Sequence, residues 1–177
     1  ADGDRRDRTV IEFERSEPLE TLFEWKEQGK AELKQAELYA ALRTTFHNCL
    51  PSHGGLLNDI RRVDIKKVQE ASGLVSREKT SLSRSMVAEA SGAGVLPEIL
   101  TFRAPYYRNA IVPLTVKVQV AFDLDPEKEV FRFVVLPGEL EIAQLEAAEF
   151  VKNKISLAMN ERGIENPEKI LLFGVPS

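Results

Sequence analysis

Between Leu114 and Phe122 the chain reads LTVKVQVAF, and the apolar residues fall on every second position: Leu114, Val116, Val118, Val120, Phe122. Thr115, Lys117, Gln119 and Ala121 occupy the positions between them. A strict period of two has one structural solution, a β-strand with one face buried and one toward water. A lone strand cannot bury that face, so the rest of the chain must supply partner strands and a covering layer. Phe131, Phe133 and Val135 alternate in the same way in EVFRFVVL, and Asp125–Lys128 (DPEK) between the two runs predicts a hairpin turn. A third strand is expected in LPEILTFRAP, bounded by Pro97 and Pro105. Runs this close in sequence favour an antiparallel meander.

Periods near 3.6 flank this region. Ser16 stands as an N-cap with Pro18 in the first turn, Gly29 ends the segment, and Leu19, Leu22, Phe23 and Trp25 give an amphipathic helix. A second helix is predicted over Gln35–Leu50, stopped by Pro51 and Gly54-Gly55, and a third over Leu56–Ala71. After Pro137-Gly138, the residues Leu140, Ala143, Ala147, Phe150 or Val151, Ile155 and Ala158 or Met159 predict one long helix ending at Arg162-Gly163. Its leading acids suit the helix dipole.

The remaining pieces are expected to be strands. Arg8–Arg15 alternates as a short edge strand, and Leu74–Ala90 reads as a long polar strand before the Gly92-Ala93-Gly94 turn. Lys169–Pro176 reads as a closing strand. The expectation is therefore a single α+β domain over 1–177, frayed over about 1–7. Helices come first (about 16–72). A curved antiparallel meander then carries a long C-terminal helix on one face (about 73–177).

With 43% hydrophobic residues in 177, such a chain can bury a core. A net charge of −4 gives no global attraction to nucleic acid or anionic membranes. One cysteine excludes an internal disulfide, and no apolar run reaches membrane-spanning length. The polar start ADGDRRDR lacks the apolar core of a signal peptide. A cytoplasmic protein without membrane contact is expected.

The stretch FHNCLPSHGG holds both histidines, His47 and His53, and the cysteine, Cys49. A zinc site needs three or four convergent ligands, and two residues apart on a helix means about 200° apart around it. Cys49 fits the apolar side of its helix, and His47 or His53 is not placed as a base by any strand-to-helix elbow. A structural role is the expectation, with no metal, cofactor or catalytic residue assigned. The chain contains no GxGxxG, P-loop or HExxH sequence.

A better candidate for binding is LTFRAPYYRNAIVPLTVK, which carries Phe102, Arg103, Tyr106, Tyr107, Arg108 and Lys117 without an acid. Basic and aromatic side chains on a sheet attract phosphates and stack bases, as single-stranded nucleic-acid binders do. The competing account is that the tyrosines pack. The RRVDIKK cluster (Arg61–Lys67) is interrupted by Asp64 and reads as a solvated helix face. Asp123, Asp125, Glu127 and Glu129 lack the glycine and terminal glutamate of a calcium loop and read as a charged hairpin turn.

Taken in order, several elements resemble a known family. They are Phe23-Glu24-Trp25-Lys26, the helix Gln35–Leu42, the strands Arg77–Ala90 and Pro97–Phe102, then Phe131–Leu136, Glu139–Arg162 and Leu172-Phe173-Gly174-Val175-Pro176. Together they resemble the YfdQ-like proteins of phages and prophages, a domain of unknown function. The second tryptophan of the family's first element is missing here. The resemblance implies a phage or prophage protein from regions near recombination and replication functions, and it brings no catalytic residue. The expected function is a non-enzymatic binding or assembly protein. It would be homo-oligomeric through edge strands such as Arg8–Arg15 or Leu74–Ala90, and could engage phage or host proteins in the host cytoplasm. The alternative is a single-stranded nucleic-acid accessory protein using the Phe102–Lys117 surface.

Overall fold

A computed structural model of the chain describes residues 13–51, 53–65, 96–108 and 113–164. In chain order the elements are α1 (Glu17–Glu27), β1 (Ala31–Leu33), α2 (Gln35–Arg43), α3 (His53–Arg62), β2 (Ile99–Pro105), β3 (Thr115–Asp125), β4 (Val130–Val135) and α4 (Glu139–Glu161). The strands form one antiparallel sheet in the order β1-β4-β3-β2. The fold class is α+β, and the meander β2-β3-β4 follows the sequence expectation. The short β1 does not. It lies between two helical patterns and pairs Ala31 with Phe133 and Leu33 with Phe131 on the far side of β4. Three residues are too few for a legible period.

The alternation of β3 is realised residue by residue: Val116, Val118, Val120 and Phe122 are buried, and Thr115, Lys117 and Gln119 are exposed. In register with them on the packed side lie Leu100, Phe102 and Ala104 of β2, and Phe131, Phe133 and Val135 of β4. Trp25 of α1 inserts among these rings, with centroids 4.8 Å from Phe133, 5.3 Å from Phe46 and 6.5 Å from Phe102. Tilted and edge-on aromatic contacts of this kind add to the area they bury.

The helix α4 crosses the same face on Leu140, Ala143, Ala147 and Val151. Small residues at 143 and 147 let it approach closely, and the Tyr107 hydroxyl donates to the Ala147 carbonyl at 3.2 Å. Its start is fixed from the sheet: Gly138 takes a left-handed φ of 85°, which glycine adopts without a Cβ clash. The Glu139 carboxylate accepts the Gln119 backbone N–H at 2.8 Å. That N–H lies one step beyond the last β3–β4 pair, Val120 with Val135. An ion pair between Lys26 and Glu141 joins α1 to α4.

Helix boundaries depart from expectation in three places. One of them is the end of α3 at Arg62, where Val63 and Asp64 leave the helix expected to run to Ala71. The second helix stops at Arg43 rather than at Leu50, because Thr44 leaves helical geometry (φ −104°, ψ −83°) and its hydroxyl bonds back to the Ala40 carbonyl. The chain continues in turns to Leu50, passing Asn48 at φ 63°. Those turns have nearly the helical repeat, so Phe46, Cys49 and Leu50 still face the core. The third helix starts at His53, before Leu56, with Gly54 and Gly55 in its first turn.

Ser16 occupies the N-cap of α1, yet its hydroxyl makes no cap bond. It donates instead to the Pro105 carbonyl, while its N–H donates to the Tyr106 carbonyl at 3.0 Å. Most of the Arg8–Arg15 strand, the Leu74–Ala90 strand, the Gly92-Ala93-Gly94 turn, the helix beyond Ile65 and the Lys169–Pro176 strand lie outside the described residues. Of the first, Arg15 bridges Tyr107 in antiparallel fashion.

Candidate interaction surface

The histidine–cysteine stretch is pulled apart by the fold. Cys49 is buried, and its thiol is pushed above the usual thiol range by that burial. Its sulfur lies 3.8 Å from the His47 carbonyl, whereas the His47 side chain is exposed. A thiol kept protonated by burial is a poor nucleophile. Among the described residues, no three His, Cys, Asp or Glu side chains converge as a metal site. The backbone here has a definite task. The Cys49 carbonyl accepts the Arg103 N–H at 2.6 Å, occupying part of the outer edge of β2.

The basic and aromatic constellation is also divided. Phe102 is fully buried against Trp25 and Phe46, and Tyr106 and Tyr107 are buried beside each other at 4.8 Å. Burial, then the neighbouring Tyr106, raises the Tyr107 hydroxyl above its ordinary value. Arg108 binds Glu14, side chain to side chain at 3.1 Å and backbone to backbone at 2.9 Å. Arg108 is exposed but paired with Glu14, whereas Arg103 and Lys117 lie on the open face of the sheet, directly opposite one another on β2 and β3. The expected stacking platform is therefore corrected: its rings belong to the core. The reason is legible in the sequence, since Phe102 and Arg103 are adjacent in a strand and must point to opposite faces.

The open face of the sheet has an order that the sequence reading missed, because it depends on register. At the hairpin end, Glu32, Arg132 and Asp123 stand in one transverse row. Glu32 binds Lys30 at 2.6 Å, Lys128 at 3.4 Å and Arg132 at 3.7 Å, and Arg132 also pairs with Asp125. The ammonium of Lys30, and after it Lys128, holds the Glu32 carboxyl below its ordinary value. Within the acidic hairpin, Asp125 is thus paired, and it also accepts the Lys128 N–H at 3.2 Å.

The next row is aliphatic: Ile99, Ala121 and Val134, with Ile99 48% and Val134 37% exposed. Beyond it lie Thr101 with Gln119, then Arg103 with Lys117. Among the described residues no acid pairs with either of those cations. Like charges directly opposite on a sheet repel, so this end of the face is suited to an anionic partner.

The chain matches no family model, no curated protein and no solved structure. Among the described residues, no helix is long and apolar enough to cross a membrane.

Proposed function

We propose that this chain is a binding and assembly protein that works through protein–protein contact on the open face of its sheet, self-association included, rather than through catalysis. The observation that carries this reading is the exposed row Ile99–Ala121–Val134, set between a neutralised charge network and an acid-free cation pair. A solvated sheet face needs only polar residues. Aliphatic side chains grouped at its centre and rimmed by charges have the composition of an interface. The resemblance to YfdQ-like proteins supports a phage or prophage setting in a host cytoplasm, where phage or host proteins are further partners.

The Arg103–Lys117 pair favours a second reading, single-stranded nucleic-acid binding, but burial of Phe102, Tyr106 and Tyr107 leaves that reading without its stacking residues. Light scattering at micromolar concentration, run beside fluorescence anisotropy with labelled single-stranded DNA, separates the two. The expected result is a mass well above 19.9 kDa and weak DNA binding. A strictly monomeric protein that binds DNA with a steep salt dependence would reverse the choice.

A further inference from the structure

The structure carries, on its opposite side, a surface that complements the open sheet face. Helix α4 buries Leu140, Ala143, Ala147 and Val151 and turns Ile142 and Leu145 outward, 56% and 67% exposed. These two large aliphatics are one turn apart on the same outer line, which continues to Glu149, with Glu146 beside it. Glu146 and Glu149 are exposed and pair with no base among the described residues, and Lys152 begins the next turn. The helix thus presents an apolar pair followed by acids, and the sheet presents an apolar row followed by cations.

Resting on the assembly reading above, we infer that the occupant of the open face is α4 of a second copy. Ile142 and Leu145 would lie on the Ile99–Ala121–Val134 row, and Glu146 and Glu149 would meet Arg103 and Lys117. The spacings are compatible. The aliphatic and cationic rows are four residues apart, about 13 Å at strand rise. Ile142 and Glu149 are seven residues apart, about 10 Å along a helix. Long Arg, Lys and Glu side chains span the remainder. The contact is heterologous, since sheet face and helix are different surfaces, so each copy offers one of each and the assembly is a ring or an open stack.

Charge reversal gives a sharp test in the full chain. One variant carries Arg103→Glu and Lys117→Glu, a second carries Glu146→Lys and Glu149→Lys, and all four positions are solvent-exposed. Each alone places like charges across the contact and is expected to weaken self-association at least tenfold by light scattering. Mixed in equal amounts, the two variants offer opposite charges wherever unlike copies meet, and the mixture should form assemblies well above the mass of either variant alone. Leu145→Arg, at an exposed position, is a further variant expected to dissociate the assembly if a charge-reversed chain folds poorly. A wild-type chain that is monomeric at all concentrations overturns the assembly reading and this contact with it. An assembled wild type indifferent to both reversals and to Leu145→Arg overturns only this contact and points to edge strands instead. Weakening in both variants without recovery on mixing overturns the helix-to-sheet pairing.

Discussion

The two faces of the sheet are made by the same strands and differ in almost every other respect. On one, Phe102, Val118, Phe122 and Phe133 are enclosed beneath α1, α2 and α4. On the other, Arg103, Lys117, Asp123 and Arg132 line a surface whose charges are neutralised at one end and not at the other. The first face is explained by folding alone: it buries rings in contact. The second is only partly explained so, because folding requires neither exposed isoleucine and valine nor two opposed cations. What a face does not need for stability is where a binding function is best sought.

The largest expected effect breaks the packed face. Trp25→Ala removes a ring that touches Phe46, Phe102 and Phe133, and should cost about 3–5 kcal/mol in urea denaturation. In the wild type, tryptophan emission should be blue-shifted. Emission like that of free tryptophan would contradict this packing.

Cys49→Ala should cost about 1 kcal/mol, the loss of one small buried group, and leave zinc content unchanged by elemental analysis. It should also sharpen the comparison along the pH axis. Cys49 and Tyr107 keep their protons in the folded protein after the unfolded chain has begun to lose them. Stability from these groups therefore falls as pH rises past their ordinary values of 9.0 and 10.0. Glu32 and Glu141 behave oppositely. Their lowered values, due first to Lys30 and to Lys26 respectively, give stability that is present above 4.5 and lost as pH falls through the folded value. Thermal melts should thus show Cys49→Ala blunting the alkaline loss only, and Glu32→Gln blunting the acid loss only.

A smaller gain is expected in the turn between β3 and β4, where Glu129 holds a left-handed φ of 56°. A side chain with a Cβ is strained in that conformation. Glu129→Gly should raise stability by up to about 1 kcal/mol, the relief being reduced by glycine's greater freedom when unfolded. A melting temperature unchanged or lowered would show that the turn is held by more than its backbone preference.

How far all this could be read from the sequence follows from the range of each signal. The alternation of Val116 to Phe122 and the stripe Leu140–Val151 are local, and both elements appear where those periods place them. Cys49 was expected to be buried for the wrong local reason, a helix that in fact ends at Arg43, but the turns that replace it keep nearly the same repeat. The binding surface failed differently. Phe102 and Arg103 are neighbours in the sequence, but adjacent residues of a strand lie on opposite faces and do not share one surface. The row Ile99–Ala121–Val134 depends on two registers at once, and no single segment contains it.

The smallest stability effect belongs to that row. Ile99→Thr with Val134→Thr keeps two β-branched residues, which suit a strand, while removing aliphatic surface that already faces water. Nothing buried is lost, so unfolding free energy should stay within about 0.5 kcal/mol of wild type. Self-association should nevertheless weaken, because the double variant removes apolar area that only a partner would bury. Urea denaturation of the monomer and light scattering of the assembly read the two quantities separately. A loss of several kcal/mol in the first would mean that the open face is part of the core. An unchanged mass in the second would mean that the row contacts no other copy.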